Sequence, residues 1–212
     1  MVGIKKSIFK GEEDSFNFSY DIIDSLLTDY KKGGFFLFKL PAYSYWKTMV
    51  YSAKYLLESG FKGVYFSFQR PYNSMLSIFK QFGTDLRDIY ILDLTNIKED
   101  GYSPSSDVNE LWVQVFSFLN KVNVDKKFVF IDSITTMSLI NSEKWIDGFF
   151  KFLTEIRNEK KLEDVFFLFN VAKELVNKKI VLDISSLVDV VLDMDSYISV
   201  SSPEPIPHNI FL

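Results

Sequence analysis

Short apolar runs alternate with longer amphipathic segments along most of the chain. Apolar runs bounded by turn residues are typical of buried strands. Five such runs predict strands at Gly34–Leu40, Gly63–Phe68, Ile89–Leu94, Lys127–Ile131 and Val165–Asn170. The amphipathic segments between them predict helices at Trp46–Ser59, Asn73–Phe82 and Glu143–Asn158, and a further helix that Asp107 caps and that ends near Asn123. Gly60 and Gly83 stand where helix C-terminal stops are expected.

The order of these elements predicts an architecture. Strands that are apolar along their whole length and separated by helices of about three turns are typical of parallel sheets. We therefore predict an α/β fold, a three-layer sandwich with a mostly parallel sheet covered by helices on both faces. After the fifth strand we predict a short helix or turn near Ser185–Val188 and two short strands, Val190–Met194 and Tyr197–Val200. The segment after Tyr197 is predicted to form antiparallel edge structure. No repeat or linker divides the chain, so residues 1–212 are predicted to form one domain.

Composition narrows the possible chemistry. Apolar residues make up 47% of the chain, which excludes a disordered protein, and its 22 Phe and 11 Tyr residues indicate an aromatic core. The net charge is −4 and the lysine pairs are scattered, so nucleic-acid binding is not supported. The chain has no cysteine, which excludes disulfides, thiolate chemistry and Cys-based metal sites. Its one histidine, His208, excludes a metal site built from several histidines. The polar N-terminus and the lack of a membrane-length apolar run predict a cytoplasmic protein.

The loop after the first predicted strand carries the candidate chemistry. Residues 41–48 read P-A-Y-S-Y-W-K-T, which has the length of a phosphate-binding loop, G-x-x-x-x-G-K-[ST]. Both glycines are replaced, by Pro41 and Trp46, so the backbone cannot form the usual cradle of N–H groups. Lys47 and Thr48 keep their places at the start of a helix, where they could meet phosphate and Mg²⁺.

Asp132 follows four apolar residues at the end of the fourth predicted strand. This is the pattern of a carboxylate that orients the Mg²⁺ water shell in nucleotide hydrolases. A helix N-cap or turn aspartate is the alternative interpretation.

In combination, these segments resemble the RecA superfamily and, within it, the KaiC-like and RadA-like ATPases. The matching segments, in order, are Asp24–Leu27 with Gly33–Gly34, Lys47–Thr48, Val64–Gln69, Ile131–Ser133 and Ser185–Leu192. The resemblance implies a RecA-like fold, ATP and Mg²⁺ as possible cofactors, and assembly with copies of itself or an active paralogue. The nucleotide-binding remnant that it implies comprises Ser44, Trp46, Lys47 and Thr48, with Thr48 and Asp132 on Mg²⁺.

Where the family carries its catalytic glutamate, this chain has Gln69. An amide cannot accept a proton from water, so general-base assistance is lost at that position. Asn170 lies where the family senses the γ-phosphate, and Arg70 is either a phosphate contact or a surface cation.

Three functions stay open at this point. The first is a degenerate, catalytically impaired ATPase homologue that acts as a regulatory or assembly subunit. The second is a slow ATPase or an ATP-binding switch, in which Gln69 places the water. The third is a DNA-repair accessory protein similar to the recombinase paralogues, although the segments Ile134–Ser138 and Val171–Leu175 are neither glycine-rich nor strongly basic.

Overall fold

The computed structural model describes residues 23–30, 33–42, 45–95, 108–122, 124–159, 162 and 164–193. The strands are β1 (Gly34–Leu40), β2 (Lys62–Ser67), β3 (Ile89–Asp93), β4 (Lys127–Asp132), β5 (Val165–Ala172) and β6 (Val190–Asp193). Helical residues 23–29 form α1. The other helices are α2 (Tyr45–Glu58), α3 (Tyr72–Gln81), α4 (Val108–Lys121), α5 (Ile134–Ile140), α6 (Glu143–Glu159) and α7 (Lys178–Leu187).

The six strands form one sheet in the order β3-β2-β4-β5-β1-β6, and every pair is parallel. Strands β1 and β2 are therefore separated by β5 and β4, although they follow each other along the chain. This arrangement places the carboxyl ends of β1, β5, β4 and β2 side by side at one edge of the sheet. Ligand sites of open parallel sheets lie beyond that edge.

The core consists of two apolar layers, one on each face of the sheet. Because side chains alternate along a strand, Phe36 and Phe38 of β1 point to the layer that also holds α1, α2 and α3, whereas Phe35 and Leu37 point to the other. That second layer is covered by α4, α5, α6 and α7 and is rich in stacked rings, for example Phe35 on Phe167 with ring centroids 4.6 Å apart. The fold is thus the predicted three-layer α/β sandwich.

An aspartate joins the second helical layer to the first strand. Asp189, just before β6, accepts a hydrogen bond of 2.9 Å from the backbone N–H of Phe35. Its other carboxylate oxygen lies 2.6 Å from a guanidinium nitrogen of Arg157 in α6. Asp189 therefore has a structural role in the segment Ser185–Leu192, the last of those that carry the resemblance.

Strands β1 to β5 and helices α2, α3, α4 and α6 confirm the sequence prediction within a few residues. Gly60 and Gly83 have φ values of +82° and +66°, as expected for residues that end a helix. Two elements differ from the prediction. Helix α5 was not predicted, and α7 is a full ten-residue helix where only a short helix or turn near Ser185–Val188 was expected.

Three predictions lie outside the described residues: the strand Tyr197–Val200, the last residue of the strand predicted to end at Met194, and the helix cap at Asp107. No helix in the described part of the chain is long and apolar enough to cross a membrane.

Candidate functional site

The fold brings the predicted site residues to one edge of the sheet. Lys47 and Thr48 lie in the first turn of α2, directly after the β1 loop. Gln69 follows β2, and Asp132 is the last residue of β4. Asn170 lies near the end of β5, between these strands. Ser44 lies outside the described residues.

Asp132 is buried, with 1% of its surface exposed, and both of its carboxylate oxygens accept hydrogen bonds. The Tyr65 hydroxyl donates to Oδ2 at 2.5 Å, and the Asn170 side-chain amide donates to Oδ1 at 3.0 Å. Burial raises the pKa of Asp132, while the two hydrogen bonds and the charge of Arg70 act in the opposite direction. The N-cap of α5 is Ser133, so the alternative interpretation of Asp132 as an N-cap is wrong.

The Gln69 side chain is held by helix α5. Its amide nitrogen donates a hydrogen bond to the Thr136 hydroxyl, and the Thr136 hydroxyl lies 3.2 Å from that of Ser133. Ser133 in turn caps the helix by accepting the backbone N–H of Thr136 at 3.1 Å. The Gln69 amide is therefore bound to protein, in a chain of hydrogen bonds that ends on a helix cap.

The loop after β1 contacts a carboxylate. The backbone N–H of Ala42 donates a hydrogen bond of 2.9 Å to Oε2 of Glu174, which follows β5. Pro41, the preceding residue, has no N–H to offer. In a phosphate-binding loop such N–H groups point at the ligand. Here the first one available in the loop is occupied by an acidic side chain of the protein itself.

Two cations lie near the Trp46 ring at the start of α2. The Arg70 guanidinium carbon is 5.4 Å from the centre of the indole, and the Lys47 ammonium is 5.8 Å from it. Both distances are in the range of cation–π attraction. The indole also meets the ring of Phe82 edge-on at 6.3 Å. Trp46 thus places positive charge at the start of α2.

These residues do not fit a Mg²⁺ ion. The Asp132 oxygens are buried and already accept two hydrogen bonds, so they cannot orient a water shell. Burial also raises the pKa of Asp132, so the negative charge that would attract a cation is disfavoured at this position. In the described part of the chain, no three His, Asp or Glu side chains are grouped to hold a metal.

Sequence reasoning missed three residues of this arrangement: Tyr65, Thr136 and Glu174. Tyr65 carries no local signal, because its contact with Asp132 depends on the register of β2 and β4, which places Ser67 opposite Asp132. Thr136 required helix α5, which was not predicted. Glu174 carries no pattern in the sequence that relates it to Ala42.

The six parallel strands, covered by helices on both faces, define a RecA-like three-layer α/β fold. Two solved structures share it. One is the uncharacterized protein PH0321 from Pyrococcus horikoshii, in complex with an unknown peptide, with a TM-score of 0.59 and 18% identity over 82% of this chain and 83% of that one. The other is an ATPase domain, with a TM-score of 0.51 and 12% identity over 92% of this chain and 87% of that one. No protein-family model and no curated protein matches the sequence.

Proposed function

We propose that this protein is a RecA-like subunit that does not hydrolyse ATP efficiently and acts in regulation or assembly, with itself or with an active protein of the same fold. The observation that supports this most directly is the buried network of Asp132, Tyr65 and Asn170. Because both oxygens of this carboxylate are buried and accept hydrogen bonds from protein groups, they are not available to a metal ion or its water ligands.

The position of the catalytic glutamate supports the same proposal independently. Gln69 cannot act as a general base, and its amide is hydrogen-bonded to Thr136. Hydrolysis needs a positioned water as well as charge stabilisation, and two separate parts of that machinery are changed. We therefore expect the protein to act through its surfaces.

Phosphate release from Mg·ATP by the full chain tests the proposal. We expect no release above the blank, and no gain from Gln69→Glu, because Asp132 stays buried in that variant. Release that requires Mg²⁺ and disappears in Asp132→Asn would show an active site and end the proposal.

The assembly role is tested by light scattering over a range of protein concentrations. We expect oligomers whose mass does not change with ATP, and a monomer throughout would contradict self-assembly.

Peptide binding is a second candidate, favoured by a groove of about 360 Å³ near the ends of β1 and β5. Its lining combines lysines with branched apolar side chains: Lys39, Lys173, Lys178, Val171, Val176, Val181 and Leu182. Lys39 and Lys173 are each paired with Asp193. The lining therefore suits a partner segment whose apolar residues fill the groove and whose acidic residue meets Lys178. A labelled peptide of alternating Leu and Glu is expected to bind, and Leu182→Glu is expected to weaken it. Leu139→Glu, at a side chain that is 71% exposed compared with 70% for Leu182, is the control.

The DNA-repair alternative gains no support. It requires exposed binding loops after β4 and β5, but Ile134–Ser138 belongs to helix α5, in which Ile134, Thr135 and Met137 are buried.

A further inference from the structure

We infer that the edge of the sheet between Lys47 and Arg70 binds a phosphate-bearing anion without a divalent cation, the positive charge being supplied by the Arg70 guanidinium. The inference rests on the same site as the proposed function. In it, the guanidinium takes the place of the Mg²⁺ ion that the residues do not fit.

The main chain of Arg70 is fixed by a turn at the end of β2. The Ser67 hydroxyl donates to the Arg70 carbonyl at 2.7 Å, and the Arg70 N–H contacts the same hydroxyl at 3.3 Å. Ser67 itself is fully buried in the sheet. The residue that carries the charge is therefore anchored to a rigid element, which is what a binding site requires.

The Arg70 guanidinium lies near the Trp46 ring and is not paired with a carboxylate of the described residues. Its carbon lies 5.4 Å from the indole centre, and it has no hydrogen bond or ion pair with the residues that the structure describes. The side chain is only partly exposed. A guanidinium has five donors in a planar fork that matches two phosphate oxygens, so its bonding capacity here is available to a ligand.

A second cation lies on the same ring. The Lys47 ammonium is 5.8 Å from the Trp46 centre, so one indole carries two positive groups. Two like charges held at one ring attract an anion with several negative oxygens more than a single cation does. They also repel a metal ion, since Mg²⁺ would add two further positive charges beside Arg70.

Burial raises the pKa of Asp132 and the charge of Arg70 acts in the opposite direction, but this acid does not neutralise the guanidinium. Asp132 is buried and hydrogen-bonded on both oxygens, and it makes no ion pair with Arg70. In a Mg²⁺-dependent site the carboxylate holds the metal, and the metal neutralises the phosphates. In this chain the guanidinium can contact the phosphates directly, and Asp132 remains in the interior.

The test measures binding to the full chain by thermal shift and by tryptophan fluorescence. The fluorescence change is assigned to Trp46 because Trp112 and Trp145 are buried. ATP, tripolyphosphate and adenosine are each added in EDTA and, separately, with excess MgCl₂. We expect ATP and tripolyphosphate to bind in EDTA at least as well as with Mg²⁺, because the metal lowers the charge of the ligand, and we expect no binding of adenosine.

Arg70→Ala is expected to weaken binding about tenfold or more, with Arg70→Lys between it and the wild type. Arg87→Ala, which removes an exposed arginine paired with Asp85, is the matched control. The unliganded melting temperatures of all variants show whether each one folds.

Four results overturn the inference: binding only with Mg²⁺, binding in neither condition, binding in EDTA that folded Arg70→Ala leaves unchanged, and adenosine binding as strong as that of ATP. Phosphate release is measured on the same samples. Mg²⁺-dependent binding without release would overturn this inference alone, whereas Mg²⁺-dependent release together with tripolyphosphate binding in EDTA would overturn only the proposed function.

Discussion

The hydroxyl of Tyr65 donates a hydrogen bond of 2.5 Å to Oδ2 of Asp132, and both residues are buried. The register of β2 and β4 produces this contact. Ser67 is the cross-strand partner of Asp132, so Tyr65, two residues earlier, lies on the same face of the sheet. The tyrosine ring is held between Phe79, edge-on at 5.7 Å, and Phe130, stacked at 5.6 Å. The packing of the core therefore determines where the carboxylate is hydrogen-bonded.

Asp132→Asn tests whether the carboxylate is structural. The amide can keep both hydrogen bonds, since it can accept from Asn170 and donate to the Tyr65 oxygen. Burial raises the pKa of Asp132, so the folded protein keeps a proton that the unfolded chain loses. The stability that this proton contributes is complete below pH about 4 and is lost as the pH rises through the folded-state pKa.

We therefore expect the melting temperature of Asp132→Asn to improve relative to the wild type as the pH rises from about 4 to 8. Asp132→Ala, which leaves Tyr65 and Asn170 without their acceptor, should be less stable than both proteins at every pH. A pH-independent difference between Asp132→Asn and the wild type would show that the pKa is not raised.

Tyr65→Phe removes one donor from the network without changing the ring packing. The Asp132 oxygen is then left buried without that partner, which costs on the order of 1–3 kcal/mol. Urea unfolding measures the loss of free energy. Tyr55→Phe is the matched control, because its hydroxyl donates to Asp24 at the exposed surface, at 2.7 Å. Equal losses of unfolding free energy in Tyr65→Phe and Tyr55→Phe would mean that the buried hydrogen bond stabilises the fold no more than the exposed one.

The sequence predicted the sheet well because its strands are buried on both faces and read as continuous apolar runs. Helix α5 was missed because it has seven residues, too few to show a helical period, and starts directly after a strand. The shared edge of Lys47, Gln69 and Asp132 followed from the parallel sheet, in which the carboxyl ends of the strands lie at one edge, but the partners of these side chains did not. Whether Asp132 faces solvent or Tyr65 depends on register and burial, which no local motif encodes.

Gly63 of β2 is expected to tolerate no side chain. A Cβ there would lie 2.6 Å from Cγ of Phe128 on the neighbouring strand, and the backbone of Phe128 is also too close. Gly63→Ala should cost about 1–3 kcal/mol through overpacking. Gly148→Ala in α6 is the contrasting variant, since its nearest neighbour would be Val108 at 3.8 Å. It should gain about 0.5–1 kcal/mol from helix propensity. Denaturant unfolding of both variants gives the comparison, and a Gly63→Ala protein as stable as the wild type would contradict the packing.

Glu174 is the acid that faces the β1 loop, and its charge opposes an anion bound there. Glu174→Gln keeps an oxygen that can accept the N–H of Ala42 but removes the negative charge. The bond is exposed, so we expect a change in stability below about 1 kcal/mol. Tripolyphosphate should bind a few-fold more tightly in EDTA at low salt, and the gain should shrink as salt screens the charge. Glu143→Gln, an exposed glutamate 3.5 Å from Lys179, is the control and should leave affinity unchanged. Unchanged or weaker binding in Glu174→Gln, with the fold intact, would mean that the carboxylate does not oppose the ligand. The anion would then have to be held by Arg70 without contact to the β1 loop.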